Sequence, residues 1–292
     1  MLNNIIADFI KKKFNVEING FTINDKYFYD CLNIKYPKEL YFYSYKFTPS
    51  DEFIILYYLF YLNKKKKNLN ILDLGSGWGK WSIFNSKISL IFNNVDYKFT
   101  NVEALKKREN QLKKVLKLNK FRSQNIININ QPVDISAKKV NLYNGKTLEW
   151  FGQSITINDH KINKVKNFFN RIFNKYNILY NLNTITLENI ISDEIIDLCL
   201  MDIQGLELDL IDKNIDLIKK KMRYLIIGTH NKNTEMSKNR DNHNNLLNLL
   251  NKINFDIQFE CKEKEAKNFY NINITCSEDG VIVAKNKEFN DL

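Results

Sequence analysis

At 292 residues and 44% hydrophobic content, the chain is long enough to bury a full core, as one large domain or as one domain with additions. The four cysteines, Cys31, Cys199, Cys261 and Cys276, show no C-x-x-C spacing, which argues against a zinc site or a dense disulfide framework and fits a reducing, cytoplasmic interior. The net charge of +11 would suit an anionic partner such as nucleic acid, a phosphorylated sugar or a membrane surface. Lys and Asn are abundant throughout, however, as an AT-biased coding sequence produces, so the charge reads as base composition and not as a binding face.

Residues 1–65 are aromatic-rich and carry no chemical motif, and they are expected to form a helical extension ahead of a domain spanning 66–292. Met1 to Phe14 reads as an amphipathic helix without a cleavage site. Phe53 to Leu62 (FIILYYLFYL) is far short of the roughly 20 apolar residues that a bilayer span requires, so a buried helix or strand is expected there. The run Lys64 to Lys67 reads as a solvated turn.

From Leu69 onward, apolar runs alternate with amphipathic stretches, as an α/β sheet demands. Strands are predicted at Leu69 to Leu74, Tyr97 to Val102, Asn125 to Ile129, Ile195 to Met201 and Tyr224 to Ile227. Helices follow at Lys80 to Phe92, along Leu105 to Leu118, through Leu206 to Ile218 and at Asn242 to Ile253. Phe255 to Phe259 and Val281 to Ala284 close the sheet as a final pair, which makes it mostly parallel and seven-stranded with one antiparallel strand. Between about Ser136 and Tyr180 the pattern is irregular, with a hairpin signal at Asn144-Gly145, and reads as an insertion.

Asp73-Leu74-Gly75-Ser76-Gly77-Trp78-Gly79 lies between the first strand and its helix, where an open α/β sheet receives its ligand. Gly75 and Gly77 clear an approach path to the backbone, and Gly79 lets the helix pack close to the strand. A pyrophosphate fingerprint would need glycine at position 80, which is Lys80, and Asp73 would repel a phosphate. A carboxylate there suits a cationic amino-acid cofactor, S-adenosylmethionine, whose sulfonium is compatible with Trp78; that indole is equally a core residue. Glu103, ending the second strand, is placed to accept the ribose hydroxyls, and Ala104, Asp134 and Asp202 complete the expected cofactor set with Ser76.

These segments resemble the FkbM family of methyltransferases, mostly O-methyltransferases of sugars and other secondary metabolites. The resemblance runs from about Asn70 to Lys285. It rests on the loop Asp73 to Gly79, on Asn101-Val102-Glu103-Ala104, on Thr184 to Ile191, and most specifically on Met201-Asp202-Ile203-Gln204-Gly205-Leu206-Glu207. Ile226-Ile227-Gly228-Thr229-His230 and Asp279-Gly280-Val281 resemble the family's fifth-strand ending and last turn, whereas Ala104 stands where the family commonly has Pro. The resemblance implies a Rossmann-like class I methyltransferase fold and a sugar or glycan hydroxyl as acceptor.

Asp202 and His230 end the fourth and fifth predicted strands and should open onto the rim that carries the glycine loop. His230 is the natural base for the hydroxyl proton, its unperturbed pKa being about 6.5. Asp202 can orient the acceptor, take its proton or bind a divalent ion with His230 or Glu207; a metal-free route is favoured because only one carboxylate is clearly placed on the rim. Glu207 lies in the first turn of a helix, where a carboxylate also complements the helix dipole. His160 and His243 read as surface residues. The rival readings are an RNA (cap) ribose 2′-O-methyltransferase, which His230 disfavours because a lysine-bearing strand is expected there, and a binding module without catalysis.

Overall fold

The computed structural model describes residues 8–10, 12, 23–24, 32–36, 46–47, 51–94, 96–144, 154–156, 177–191, 193–230, 241–270, 272–276 and 279–290. His160 and Gly145 lie outside them, as does most of Met1 to Phe14, of which Asp8 to Ile10 and Lys12 are helical.

The N-terminal stretch expected to be helical also holds a short antiparallel strand pair, Ile23–Asn24 with Lys46–Phe47; after it the elements run α1 (Asp51–Lys65), β1 (Asn70–Leu74), α2 (Lys80–Ile91), β2 (Lys98–Val102), α3 (Lys106–Asn119), β3 (Ile126–Ile129), β4 (Lys139–Asn144), β5 (Ser154–Thr156) and β6 (Asn177–Asn183). They continue with α4 (Leu187–Ile190), β7 (Ile196–Met201), α5 (Glu207–Lys213), α6 (Ile215–Lys221), β8 (Met222–Thr229), α7 (Asn242–Lys252), β9 (Phe255–Cys261), β10 (Ala266–Phe269), β11 (Ile272–Thr275) and β12 (Gly280–Asn286). Seven strands form the main sheet in the order β9-β12-β8-β7-β1-β2-β3. β12 is antiparallel to both of its neighbours, while β8, β7, β1, β2 and β3 pair in parallel. This is the Rossmann-like class I methyltransferase fold.

Successive residues of the central strands enter opposite cores, because strand side chains alternate between faces. Ile71, Leu198, Leu200, Tyr224, Ile226, Val281 and Val283 join one apolar cluster, whereas Leu72, Leu74, Cys199, Met201, Leu225, Ile227, Ile282 and Ala284 join the other. Burial on both faces explains why β7 reads as an unbroken apolar run.

The FIILYYLFYL segment belongs to a 15-residue helix, α1. It is apolar nearly all round because it is buried on several sides at once, with Phe53, Ile54, Leu56, Leu59 and Leu62 inaccessible. The hairpin of β10 and β11, which the periodicity does not announce, covers it: Tyr57 meets Phe269 edge-on at 5.1 Å between ring centroids and stacks on Tyr270 at 5.0 Å. Lys66 is not simply solvated. Its Nζ donates to both oxygens of the fully buried Asp197 at 2.7 Å, fixing the end of the sheet remote from the glycine loop. The irregular insertion contains order of its own, a three-stranded antiparallel sheet β5-β4-β6. Among the described residues, no helix is long and apolar enough to cross a membrane.

Candidate active site

The glycine loop leaves β1 at the carboxyl edge of the sheet, with Gly75, Gly77 and Gly79 at φ values of +82°, +56° and +79°. At Gly75 the requirement is steric as well as conformational. A Cβ there would lie 1.8 Å from the carbonyl oxygen of Asp202, because the loop crosses directly over the end of β7. At Gly79 a Cβ would press on the Leu112 side chain at 2.8 Å, so glycine sets how closely α2 approaches α3. The chain then carries Trp78 inward: its indole is only 3% exposed and packs in the core. Of the two roles weighed for Trp78 the structure shows the core one, and the side chain is not in the cleft.

A cleft opens beside the loop. Gly75, Gly77, Glu103, Ala104 and Asp202 line it, together with Arg108, Gln131, Pro132, Val133 and Gln204, none of which the sequence singled out as cleft residues. Asp73, Ser76 and Asp134 are buried behind this lining, at 2% to 4% exposure. The Asp134 carboxylate is turned towards Lys138 Nζ at 3.1 Å, and its backbone N–H donates to Ile185.

Glu103 is tied into the loop before any ligand arrives. Its Oε2 accepts the Gly77 N–H at 2.9 Å and its Oε1 accepts the Leu105 N–H at 2.9 Å. Burial pushes its pKa up to about 7, against the lowering effect of these two N–H groups and of Arg108. Asp73, 3% exposed and without a hydrogen-bond partner for its Oδ2 among the described residues, is held well above the usual carboxylate range, first by burial and then by the charges of Asp202 and Glu103.

Asp202 faces the cleft with its side chain 62% exposed, and its backbone N–H donates to Leu74. Desolvation opposes its charge, but the bond to His230 and the Gln204 amide bring its pKa below the ordinary value. The next residues turn sharply, with Gln204 at φ +56° and Gly205 at +100°. Glu207, fully buried at the start of α5, folds back across that turn: its Oε1 accepts the Ile203 N–H at 3.0 Å and its Oε2 the Gly205 N–H at 3.0 Å.

His230 closes the arrangement from the end of β8. Its Nδ1 is 2.9 Å from Glu207 Oε1; its Nε2 is 3.2 Å from Asp202 Oδ1 and 3.6 Å from Asp279 Oδ2. Burial disfavours the charged ring, but Glu207 and Asp202 outweigh it and hold the imidazolium well above its ordinary range. Two expectations change. His230 is not an open imidazole on the rim: it is 2% exposed and reaches the cleft through Asp202 and Gln204. The rim also holds more than one carboxylate, since Asp279 joins Asp202.

Asp279 was legible only through topology. An antiparallel strand in a parallel sheet begins at the edge where the others end. Because Thr229 pairs with Gly280, the residue before Gly280 falls beside the residue after Thr229. His243 is likewise not a surface residue: it is fully buried on α7, 2.9 Å from Thr229 Oγ1 and 3.0 Å from Glu260 Oε2.

No family model matches the chain, and no curated protein matches it. Among solved structures it is similar to the methyltransferase FkbM of Methylobacillus flagellatus, at 12% identity and a TM-score of 0.43 over 75% of this chain and 44% of that one. It is also similar to the fibrillarin pre-rRNA processing protein of Methanococcus jannaschii, at 14% identity and 0.39 over 76% of this chain and 68% of that one. A third similarity is to the precorrin-6y C5,15-methyltransferase of Geobacter metallireducens, at 10% identity and 0.41 over 91% and 98%. The chain thus spans less than half the length of that FkbM protein, and it is its own strand order, not these distant likenesses, that establishes the fold.

Proposed function

We propose that the chain is an S-adenosylmethionine-dependent O-methyltransferase acting on a hydroxyl of a sugar, in a glycan or a nucleotide-linked precursor. The observation that carries the cofactor is the concentration of carboxylates around the glycine loop. Asp202 and Glu103 raise the cost of ionising Asp73, and Asp202 raises that of Glu103; a ligand bearing an ammonium and a sulfonium relieves that repulsion where a phosphate would aggravate it. Glu103 keeps lone pairs for the ribose hydroxyls while its two backbone bonds hold it in place. Gly75 and Gly77 leave the backbone bare along the same wall of the cleft.

When bound, the cofactor supplies an electrophilic methyl group, and the chain's own residues position the acceptor and accept its proton. Asp202 is the exposed oxygen ligand on the cleft floor, oriented by Gln204 and His230 at 2.8 Å and 3.2 Å. Positioning the acceptor oxygen in line with the methyl donor accounts for much of the rate in such reactions. The sugar rests on the motif resemblance from Asp73 to Val281. Mass spectrometry of glycan extracts treated with the protein and S-adenosylmethionine tests it: a gain of one methyl group is expected. Methylated RNA ribose with unchanged glycan would overturn the choice of acceptor.

A further inference from the structure

We infer that the rim holds a divalent cation, of the Mn²⁺ or Mg²⁺ class, between His230 Nε2, Asp202 and Asp279, with Glu207 as the positioning residue behind the histidine. The two faces of the imidazole are differently committed. Nδ1 is occupied by Glu207 at 2.9 Å, and Glu207 is itself fixed by the N–H groups of Ile203 and Gly205 at 3.0 Å and, through its second oxygen, 3.0 Å. A carboxylate that orients a histidine through its far nitrogen is the recurring support for a metal-binding imidazole. Nε2, by contrast, has room for a single hydrogen yet faces two carboxylates, Asp202 at 3.2 Å and Asp279 at 3.6 Å.

The two separations from Nε2 fit coordination. Two ligands at right angles on an ion with bonds of about 2.1 Å stand about 3.0 Å apart. Asp202 and His230 already stand within reach of one ion, and Asp279, 3.6 Å from Nε2, would swing in to join them; the Gln204 amide, 2.8 Å from Asp202 Oδ1 and 2.9 Å from Nε2, offers its oxygen to the same point when turned over. One imidazole among carboxylate, amide and water oxygens is a donor set for Mn²⁺ or Mg²⁺ and not for a thiolate-seeking metal. Asp202 and Gln204 line the cleft, so the ion's open positions face whatever the cleft binds. Its role in lowering the pKa of an acceptor hydroxyl rests on the transferase reading above; its binding does not.

The test uses the full chain, freed of metal with a chelator and titrated with Mn²⁺ by calorimetry and by electron paramagnetic resonance, with no cofactor present. One saturable site is expected. Asp202→Asn and Asp279→Asn should each weaken it by about tenfold or more, and Glu207→Gln by about 10- to 100-fold without removing a metal ligand. Asp279→Asn sits in a turn and should keep its melting temperature and its affinity for S-adenosylhomocysteine, so it remains informative if Glu207→Gln does not fold. Absence of saturable Mn²⁺ binding, or equal affinity in the wild type, Asp202→Asn and Asp279→Asn, overturns the site. Mn²⁺ binding without any S-adenosylhomocysteine binding would leave the ion site standing and defeat only the cofactor reading.

Discussion

Gly75 and Asp202 stand so close that the missing Cβ of Gly75 would lie 1.8 Å from the Asp202 carbonyl oxygen. The loop after β1 and the turn after β7 are therefore one packed unit, and the cleft exists because no side chain separates them. Gly75→Ala must move backbone, not a flexible side-chain end, and must also hold an L residue at φ +82°. It should destabilise the fold by at least about 1–2 kcal/mol, the cost of the left-handed region alone. Urea unfolding measures the loss, and calorimetry should show S-adenosylhomocysteine binding abolished. Wild-type affinity in this variant would place the cofactor away from the loop.

Glu103 makes cofactor binding depend on pH. Its folded-state pKa of about 7 lies above the ordinary 4.5, so the folded protein takes up a proton here that the unfolded chain has released. The stability this contributes is present below about 4.5 and is lost as pH rises through about 7, amounting to about 3 kcal/mol at most. Glu103→Gln should therefore gain stability relative to the wild type between pH 5 and pH 8, as followed by thermal unfolding at each pH. The groups that set this ionisation are the Gly77 and Leu105 N–H groups, Arg108 and Asp202.

Affinity should move the opposite way. The ionised carboxylate is the better ribose acceptor, so S-adenosylhomocysteine should bind more tightly as pH rises through about 7. Glu103→Ala should lose roughly 1.5–3 kcal/mol of charge-assisted hydrogen bonding, tenfold or more in Kd, and with it the pH dependence. A variant that binds as the wild type does at pH 8 would place the ribose elsewhere.

The buried pair of Glu207 and His230 ties chemistry to stability. Glu207→Ala leaves the Ile203 and Gly205 N–H groups and a buried imidazole without their acceptor, and should cost about 3–5 kcal/mol in chemical denaturation. If His230 takes the acceptor's proton, His230→Ala should lower turnover by about 10² to 10⁴ while S-adenosylhomocysteine affinity changes little. Full turnover in His230→Ala would remove it from the reaction.

The basic charge should not behave as a nucleic-acid footprint. Fluorescence anisotropy with single-stranded and duplex RNA is expected to show only weak binding at physiological salt. Tight binding that falls steeply with salt, as counterion release requires, would return the RNA reading to first place.

What the sequence determined by itself was the local part of this protein. The apolar run Ile196 to Met201 specifies a strand buried on both faces, the glycines from Gly75 to Gly79 specify a turn that only they can make, and Glu103 follows at a strand end. Each is written in neighbouring residues, because periodicity and backbone freedom act over a few positions. The strand ends placed Asp202 and His230 on one rim, but tertiary structure alone added Asp279 to it. Asp279 reaches His230 through the pairing of Thr229 with Gly280, two strands that are joined through α7, β9, β10 and β11. It decided, too, that Trp78 turns into the core, that His243 is buried, and that α1 is covered by the β10–β11 hairpin. Such contacts join residues far apart in the chain, so their energies appear only when packing brings them together, and the raised pKa of His230 between Glu207 and Asp202 is the chemical consequence of that convergence.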